Sequence, residues 1–165
     1  MGYEIERRFL VCSDAWRGLA PGLLYRQGYL CSEPDRTVRV RLIGTSEADG
    51  AAFLTLKGRQ TGFRRPEFEY EIPFADGAFL LEHMAEKPLV EKCRHRIALD
   101  GLVWEVDEFL GENAGLVLAE LELAAEDQSF SRPGWLGAEV TGDWRYANSS
   151  LARHPFRRWG KDSAA

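Results

Sequence analysis

Acidic residues two positions apart recur along the chain and are the first candidates for chemistry. The pairs are Glu4/Glu6, Glu67/Glu69, Glu105/Asp107 and Glu120/Glu122. In a β-strand successive side chains point to opposite faces, so both members of each pair lie on one face. Carboxylates are the hard oxygen ligands that suit Mg²⁺, Mn²⁺ or Ca²⁺. The pairs therefore indicate a site for a divalent cation.

Basic residues show the same spacing. Arg39 pairs with Arg41, and Lys92 pairs with Arg94 and Arg96. Like charges two apart on a strand lie roughly 7 Å apart and repel each other. A face that simply contacts water explains any one of these sets, but it does not explain several sets sorted by sign. Because guanidinium and ammonium groups bind phosphate oxygens, acids and bases in one cavity imply a metal-bound polyphosphate.

Strands must position these residues, since the dominant hydrophobic period along the chain is two. Alternation predicts about eight strands, which lie at about 3–11, 23–30, 36–42, 52–59, 66–72, 89–97, 102–109 and 118–124. Short, turn-like connections favour antiparallel neighbours. About eight strands can close into a barrel whose interior takes one face of every strand. The predicted fold is mainly β (α+β): a closed eight-stranded antiparallel β-barrel, or tunnel, with a few peripheral helices, near 13–19, after Asp76 and over 143–152.

Length and composition restrict the class of protein. A chain of 165 residues predicts a single domain over 1–165 with a substantial core. The net charge of -5 argues against a general nucleic-acid binder. No apolar run approaches the roughly 20 residues of a membrane span. Three cysteines without metal-ligand spacing predict reduced thiols in a cytoplasmic protein.

Several of these segments together resemble a known family. EIERRFLV is similar to the Glu-x-Glu-x-Lys signature that opens the CYTH superfamily, the triphosphate tunnel metalloenzymes. The resemblance continues, in order, through RQGYL, VRVRL, FLTLKG, LVEKCRHRI, WEVDEF, LAELEL and EVTGDWRYANSSLA. It implies an eight-stranded antiparallel tunnel, in agreement with the alternation. A chain of this size most resembles the short inorganic triphosphatases of the family.

The resemblance also implies roles for individual residues. It implies the metal ligands Glu4, Glu6, Glu120 and Glu122. It implies a triphosphate clamp of Arg8, Arg39, Arg41, Lys57 and Arg94. Lys92 takes the family's position for a leaving-phosphate contact or general acid, and Tyr29 matches a tyrosine that pairs with the lysine of the opening motif. Glu67 and Glu69 match acids that order the basic side chains and the nucleophilic water.

One residue departs from the family pattern, because Arg8 stands where the opening motif has lysine. Arginine keeps the charge, is forked, and is effectively never deprotonated. Arg8 is therefore expected to anchor phosphate or carboxylate and not to transfer protons. The acids Glu4, Glu6, Glu120 and Glu122 belong to the first and last predicted strands, which must adjoin in a closed barrel. With too few bases to pair them all, at least one should have a raised pKa.

The expected function is metal-dependent hydrolysis of inorganic triphosphate to pyrophosphate and phosphate, with Mg²⁺ or Mn²⁺ as cofactor and two ions bound. The alternatives are an adenylate cyclase, another nucleoside or thiamine triphosphate-processing CYTH enzyme, and a non-catalytic polyphosphate-binding module. The expected partner is inorganic triphosphate or a small molecule that bears one, with neither membrane nor nucleic acid; a homodimer is left open. No base-stacking site is evident, and the tryptophans are expected to pack in the outer shell: Trp16, Trp104, Trp135, Trp144 and Trp159.

Overall fold

A computed structural model describes residues 2–62 and 64–160. Nine strands and two α-helices form the regular structure of these residues. The strands are β1 Gly2–Val11, β2 Gly22–Glu33, β3 Arg36–Ile43, β4 Ala51–Lys57, β5 Arg64–Ile72, β6 Val90–Leu99, β7 Leu102–Phe109, β8 Val117–Glu122 and β9 Leu136–Glu139. The helices are α1 Phe74–His83 and α2 Asn148–Arg153, with short 3-10 turns at Gly111–Asn113, Trp144–Tyr146 and Phe156–Arg158.

Eight of the strands form a closed ring. The order is β5-β4-β3-β2-β6-β7-β8-β1, and β1 pairs back to β5 from Gly2↔Glu67 to Ile5↔Arg64. All of these pairings are antiparallel. The predicted closed eight-stranded antiparallel arrangement is confirmed. The ring places one face of every strand inside, where alternating charged residues meet.

Strand β1 holds the closure together because both of its edges are paired. One edge pairs with β8, and the other pairs first with β5 and then, from Phe9 to Val11, with β9. The ninth strand was not predicted. Its four residues, LGAE, carry no alternation that could have revealed it.

The apolar core lies largely outside the ring, since much of the interior is charged. One cluster packs Phe9, Trp104 and Leu121 under Trp16 and Trp135. A second cluster lies under α1, whose buried Leu81 packs with Val40, Leu42 and Ala52 of β3 and β4. Gly77 allows this close approach, because a Cβ there would lie 2.7 Å from the Cβ of Ala52. The predicted helix after Asp76 is thus α1, which begins at Phe74.

The predicted helix near 13–19 is wrong. This segment forms turns, in which Arg17 N–H donates to the carbonyl of Asp14 and Leu19 N–H donates to that of Trp16. The local pattern resembled a helix, but the side chain of Trp16 is 1% exposed and packs edge-on against His95. Burial of the indole against the sheet decides the conformation, so the segment follows the sheet surface in turns.

The C-terminal segment covers one end of the interior. Leu151 and Ala152 of α2 pack against inward-facing side chains that include Tyr29, Phe109 and Leu118. The predicted helix over 143–152 is broken into a 3-10 turn and α2, because Ala147 between them is extended. No helix in the described parts of the chain is long and apolar enough to cross a membrane.

Candidate functional site

A cavity of about 820 Å³ occupies the ring interior and is lined mainly by charged side chains. The acids are Glu4, Glu6, Glu33, Glu67, Glu69, Glu105, Glu120, Glu122 and Asp143. The lysine and arginines are Arg8, Arg39, Arg41, Lys57, Arg65, Arg94 and Arg153. The structure thus brings together all the residues predicted to bind metal or phosphate, together with Glu67 and Glu69. Residues of the C-terminal segment between Thr141 and His154 line the remaining side.

Four of the acids form an acidic wall, defined here as Glu4 and Glu6 of β1 with Glu120 and Glu122 of β8. The two strands are neighbours in the ring, with Glu6 paired to Glu122. Paired residues of adjacent strands project to the same side of a sheet. Four carboxylates therefore converge on one side of the cavity, as the closure of the barrel predicted.

Arg8 lies across the acidic wall. Its Nη2 donates to Glu6 Oε1 at 2.6 Å, and its Nε donates to Glu120 Oε1 at 2.9 Å. Burial disfavours the charged guanidinium, but the charges of Glu6 and Glu120 outweigh burial and raise the pKa of Arg8. Arg8 therefore points into the cavity and is a permanent cation beside the carboxylates.

The bases do not neutralise the acidic wall evenly. Burial opposes ionisation of Glu4, but the Lys57 ammonium lowers the pKa of Glu4 to about 2. Burial also opposes ionisation of Glu120, yet Arg8 and neighbouring bases hold its pKa well below the usual range. By contrast, burial and the charge of Glu120 raise the pKa of Glu6 to about 8. Partial burial, with Glu4 and Glu105 nearby, raises the pKa of Glu122. Glu6 and Glu122 are thus the two acids of the wall whose ionised forms are least compensated by bases.

Two arginines of β3 form a basic wall, defined here as Arg39 and Arg41. Arg39 is buried; its Nη2 donates to Thr55 Oγ1 at 3.3 Å and lies 3.6 Å from Glu69 Oε2. Its Nε has no hydrogen-bond partner among the described residues. Arg41 Nε donates to Gln27 Oε1 at 3.3 Å, and no described carboxylate forms an ion pair with it. The basic wall therefore has guanidinium donors that remain available to an anion.

The electrostatics of Arg41 agree with this. Burial, together with the charges of Arg39 and Arg94, lowers the pKa of Arg41 to about 10. A bound anion would remove that repulsion. The basic wall thus has positive charge that the protein does not compensate, and Glu6 and Glu122 are the acids of the acidic wall whose ionised forms are least compensated.

Lys57, the last residue of β4, forms ion pairs with acids of both β1 and β5. Its Nζ is 2.6 Å from Glu4 Oε2 and 3.1 Å from Glu67 Oε2. Glu69 accepts a hydrogen bond from Thr55 Oγ1 at 2.7 Å. Glu67 and Glu69 thus contact the basic side of the cavity, where an acid that orders basic side chains would have to lie.

Lys92, Arg94 and Asp107 form a buried network. Arg94 donates to both oxygens of Asp107 at 2.7 Å, contacts Glu105, and donates to Glu120 Oε2 at 3.1 Å. Lys92 Nζ lies 2.5 Å from Asp107 Oδ2 and 3.3 Å from Asn148 Oδ1 of α2. Carboxylates thus occupy most of the donors of Arg94, which distinguishes it from Arg39 and Arg41.

Two predicted catalytic residues, Lys92 and Tyr29, face the ring interior but are covered there by neighbouring side chains. Lys92 is fully buried, and burial with the charge of Arg94 lowers its pKa to about 8. Tyr29 is buried in the apolar cluster beneath α2. Neither side chain lines the cavity. The predicted role of Lys92 as a leaving-phosphate contact or general acid, and that of Tyr29 as a partner of the opening-motif base, stay predictions.

Arg65 and Trp144 are two of the cavity residues that sequence reasoning missed. Arg65 lines the cavity, with Nε donating to the carbonyl of Gly58 at 2.7 Å and Nη2 to Thr37 Oγ1 at 3.4 Å. The signal was present, since Arg65 stands two residues before Glu67 on the inward face of β5. The second is Trp144, which lines the cavity and is 69% exposed. The expectation that every tryptophan packs in the outer shell is wrong for Trp144, because a 3-10 turn carries it to the cavity edge.

Comparisons with known proteins agree with this geometry. A model of the CYTH domain matches residues 2–154. An inorganic triphosphatase of Acetivibrio thermocellus is 49% identical over 159 residues, which cover 96% of this chain and 99% of that protein. An inorganic triphosphatase of Nitrosomonas europaea is 39% identical over 153 residues, which cover 90% and 96%. A solved crystal structure of an inorganic triphosphatase is 38% identical with a TM-score of 0.65, covering 92% of this chain and 95% of that one.

The match extends over nearly the whole chain, and the residues of the opening, arginine and late-strand motifs meet in one cavity. This chain belongs to the CYTH family.

Proposed function

We propose that the protein hydrolyses inorganic triphosphate to pyrophosphate and phosphate with a divalent cation. The observation that carries the proposal is the uneven charge of one cavity. Among the described residues Glu122 has no ion-pair partner, and Glu6 shares Arg8 with Glu120. On the other wall Arg41 has no ion-pair partner among the described residues, and Arg39 has only Glu69, at 3.6 Å. A polyanion bound together with a divalent cation satisfies both walls at once. The names of the two relatives, inorganic triphosphatases that match almost their full length, support the same substrate.

The basic wall binds the phosphate oxygens in this proposal. A guanidinium fork forms paired, charge-assisted hydrogen bonds to phosphate. Arg39 and Arg41 have donors available, and Arg65 and Lys57 stand on the next strands of the same cavity. In this proposal α2 keeps bulk water from one end of the interior, because it covers that end. Water reaches the terminal phosphorus from the other direction, that of the acidic wall.

The acidic wall fits a hard divalent cation by the chemistry of its donors. All four are carboxylates on adjacent strands, and the raised pKa values of Glu6 and Glu122 indicate a site short of positive charge. Among the described residues no His, Cys, Asp or Glu side chains are already grouped around one metal position. The carboxylates instead contact Arg8 and Lys57. Holding a cation thus requires Glu4, Glu6 and Glu120 to turn away from these bases.

We propose that Glu4, Glu6, Glu120 and Glu122 hold Mg²⁺ or Mn²⁺, with two ions in the full site. When bound, such an ion neutralises phosphate oxygens and lowers the pKa of a coordinated water. The protein's own contribution is to align phosphate along the basic wall and to keep Arg8, a permanent cation, beside the acids. No covalent nucleophile is required, since water attacks phosphorus and pyrophosphate leaves.

A phosphate-release screen tests the proposal. The substrates are inorganic triphosphate, pyrophosphate, ATP, thiamine triphosphate and long-chain polyphosphate, each with Mg²⁺, Mn²⁺ or Ca²⁺. We expect rapid, metal-dependent release from inorganic triphosphate. A matched pair of variants gives the control: Glu6→Gln in the acidic wall should be nearly inactive, and Glu108→Gln on the outer face of β7 should retain full activity. Binding of triphosphate without release would favour a polyphosphate-binding module, and conversion of ATP to cyclic AMP would favour a cyclase.

A further inference from the structure

Gln27 of β2 is a fully buried amide inside the ring and does not itself line the cavity. It is the register partner of Arg41 on β3, so both side chains project to the same side of the sheet. Its Oε1 accepts a hydrogen bond from Arg41 Nε at 3.3 Å. Its Nε2 has no hydrogen-bond partner among the described residues. The amide thus contacts one residue of the basic wall and leaves its own donor unpaired.

The unpaired donor argues against a role in folding alone. Arg41 Nε can only donate, so the amide must turn its oxygen toward it and leave Nε2 without a partner. A buried polar atom without a partner lowers stability, and a methionine of similar size would avoid that loss. Asn113 is the contrast: it donates to the carbonyl of Leu151 at 3.3 Å and accepts from the N–H of Phe156 at 2.8 Å. Both polar ends of that buried amide serve the fold, whereas only one end of Gln27 is used.

The contact at Nε determines how Arg41 meets the cavity. A guanidinium is planar, so a hydrogen bond at Nε fixes the direction of the two Nη atoms. Arg41 lines the cavity, and its Nη atoms make no hydrogen bond to a described residue. The ring of Tyr25 lies beside the guanidinium, with its centroid 5.4 Å from Cζ. Contacts at Nε and at the ring therefore leave the paired Nη donors for a ligand, and paired donors are what a phosphate group binds.

The partner at Nε is neutral, and this distinguishes Arg41 from Arg94. Arg94 Nε donates to a carboxylate, Asp107 Oδ1, at 2.7 Å. That contact both orients Arg94 and compensates its charge. The amide oxygen of Gln27 has no formal charge, so it can orient Arg41 without compensating it.

We propose that Gln27 is a positioning residue: it orients the Arg41 guanidinium toward a phosphate group of the substrate and, being neutral, leaves the charge of Arg41 for that phosphate. The inference rests on the proposed function, because Arg41 binds the substrate there. Gln27 acts through Arg41 and does not touch the substrate. Its effect on binding should therefore disappear when Arg41 is absent.

A double-mutant cycle tests this dependence. The probe is bismethylene triphosphate, in which methylene groups replace both bridging oxygens, titrated calorimetrically with Mg²⁺. The cycle comprises the parent, Gln27→Met, Arg41→Met and the double variant. Gln27→Asn keeps a buried amide but is one methylene shorter, and Gln27→Glu keeps the shape but adds a charge. Thermal melts of each variant, with Asn113→Leu as the comparison, report stability separately.

The expected result is a loss of binding that requires Arg41. Gln27→Met and Gln27→Asn should each weaken binding of the probe roughly tenfold, as expected for a hydrogen bond to a charged group. In the Arg41→Met background, Gln27→Met should change binding less than about twofold. Gln27→Glu should weaken binding more than Gln27→Met does, because its carboxylate pairs with Arg41 and repels the polyanion. Gln27→Met should melt within about 4 °C of the parent, and Asn113→Leu should lose more.

Three results would overturn the proposal. They are an equal loss from Gln27→Met with and without Arg41, parent-like binding in both Gln27→Met and Gln27→Asn, and a parent protein that does not bind the probe. Binding is measured without turnover, so it is independent of the phosphate-release screen. A negative screen together with the Arg41-dependent loss would reject hydrolysis and support the role of Gln27, whereas phosphate release without that dependence would reject the role of Gln27 alone.

Discussion

Two arginines flank the ring of Tyr25, the buried Arg94 and the half-buried Arg41, and they differ in what surrounds their charge. The guanidinium of Arg94 lies 5.3 Å from the ring centroid and that of Arg41 lies 5.4 Å from it. Arg94 contacts Asp107, Glu105 and Glu120, whereas Arg41 has one side-chain hydrogen bond within the described part of the chain, to Gln27. Arginines inside the same ring therefore differ in how far the protein compensates their charge. We propose that Arg94 mainly holds the site together and that Arg41 binds the ligand.

The pKa shifts express the same difference. Burial disfavours the charge of both residues, but the carboxylates around Arg94 raise its pKa well above the ordinary value. Around Arg41 burial and the like charges of Arg39 and Arg94 prevail, and its pKa is lowered to about 10. A charged side chain with ion-pair partners inside the protein needs no ligand to compensate it. A charged side chain without such partners is compensated only when a ligand of opposite charge binds. Four substitutions test this division, in order of decreasing effect.

Asp107→Asn should cause the largest change, because it removes the acid that Lys92 and Arg94 share in a fully buried position. Breaking a buried ion pair leaves an uncompensated charge and costs about 3–5 kcal/mol. We expect that loss in the free energy of unfolding, measured by urea denaturation with chelator present. Glu108→Gln, the next residue on β7, is the control: its exposed pair with Arg17 contributes less than about 1 kcal/mol. Equal losses in the free energy of unfolding for Asp107→Asn and Glu108→Gln would show that the buried network stabilises the fold no more than an exposed ion pair does.

Arg41→Met should affect activity and leave stability intact. The loss of one desolvated contact to phosphate costs about 2–5 kcal/mol by analogy with buried interface charges. We expect that loss in kcat/KM for triphosphate hydrolysis. The free energy of unfolding should stay equal or rise, because no acid is left without a partner. Arg36→Met, an exposed arginine at the start of the same strand, should leave both quantities unchanged. A large loss of stability in Arg41→Met would place Arg41 in the frame instead.

Glu6→Gln should increase the stability of the metal-free protein, because it removes a carboxylate whose charge the neighbouring bases compensate poorly. The pKa of Glu6 is raised from 4.5 to about 8 in the folded protein. Protonated Glu6 therefore stabilises the fold fully below pH 4.5, and this stabilisation is lost as the pH rises to about 8. Without metal, the variant should gain stability relative to the parent across that window, on the order of 1–3 kcal/mol at pH 8.

Thermal melts in chelator and then in Mn²⁺, at pH 5 and pH 8, measure this effect. Mn²⁺ should stabilise the parent more than Glu6→Gln, and the variant should be nearly inactive. If Glu6→Gln is much less stable than the parent in chelator at pH 8 and still hydrolyses triphosphate, Glu6 is part of a structural ion-pair network and not of a metal site.

Arg8→Lys should have the smallest effect. Lysine keeps the positive charge beside Glu6 and Glu120 but cannot span both as the guanidinium does. We expect kcat/KM within about tenfold of the parent, about 1.4 kcal/mol. Arg8→Ala is the comparison: it should lose roughly 2–5 kcal/mol in kcat/KM and lower the metal-free stability, because it removes a base from a wall that already lacks bases. Parent-like kinetics for Arg8→Ala would show that Arg8 does not take part in binding or hydrolysis.

Much of the fold and of the cavity could be predicted from alternation within each strand. The two-residue period is local, so it assigned Glu4, Glu6, Arg39 and Arg41 to inward faces without knowledge of any partner. The number of strands and their short connections then favoured a closed antiparallel ring, and closure alone required the first and last strands to adjoin. Local patterns gave no prediction or a wrong one where alternation is weak or where tertiary packing decides the conformation. Strand β9 has no alternation, and the segment near 13–19 follows the burial of Trp16.

Tertiary structure alone decided which charges are satisfied. The pairing of Glu6 with Glu122 and of Arg94 with Asp107 depends on the register between strands, which each strand's own pattern does not encode. For that reason the sequence could not show that carboxylates surround Arg94 but not Arg41, or that Lys92 is fully buried. The predicted roles of Arg94 and Lys92 at the phosphates stay predictions. The sequence likewise could not distinguish Trp144 from the buried tryptophans, because the exposure of an indole ring depends on the tertiary structure around it.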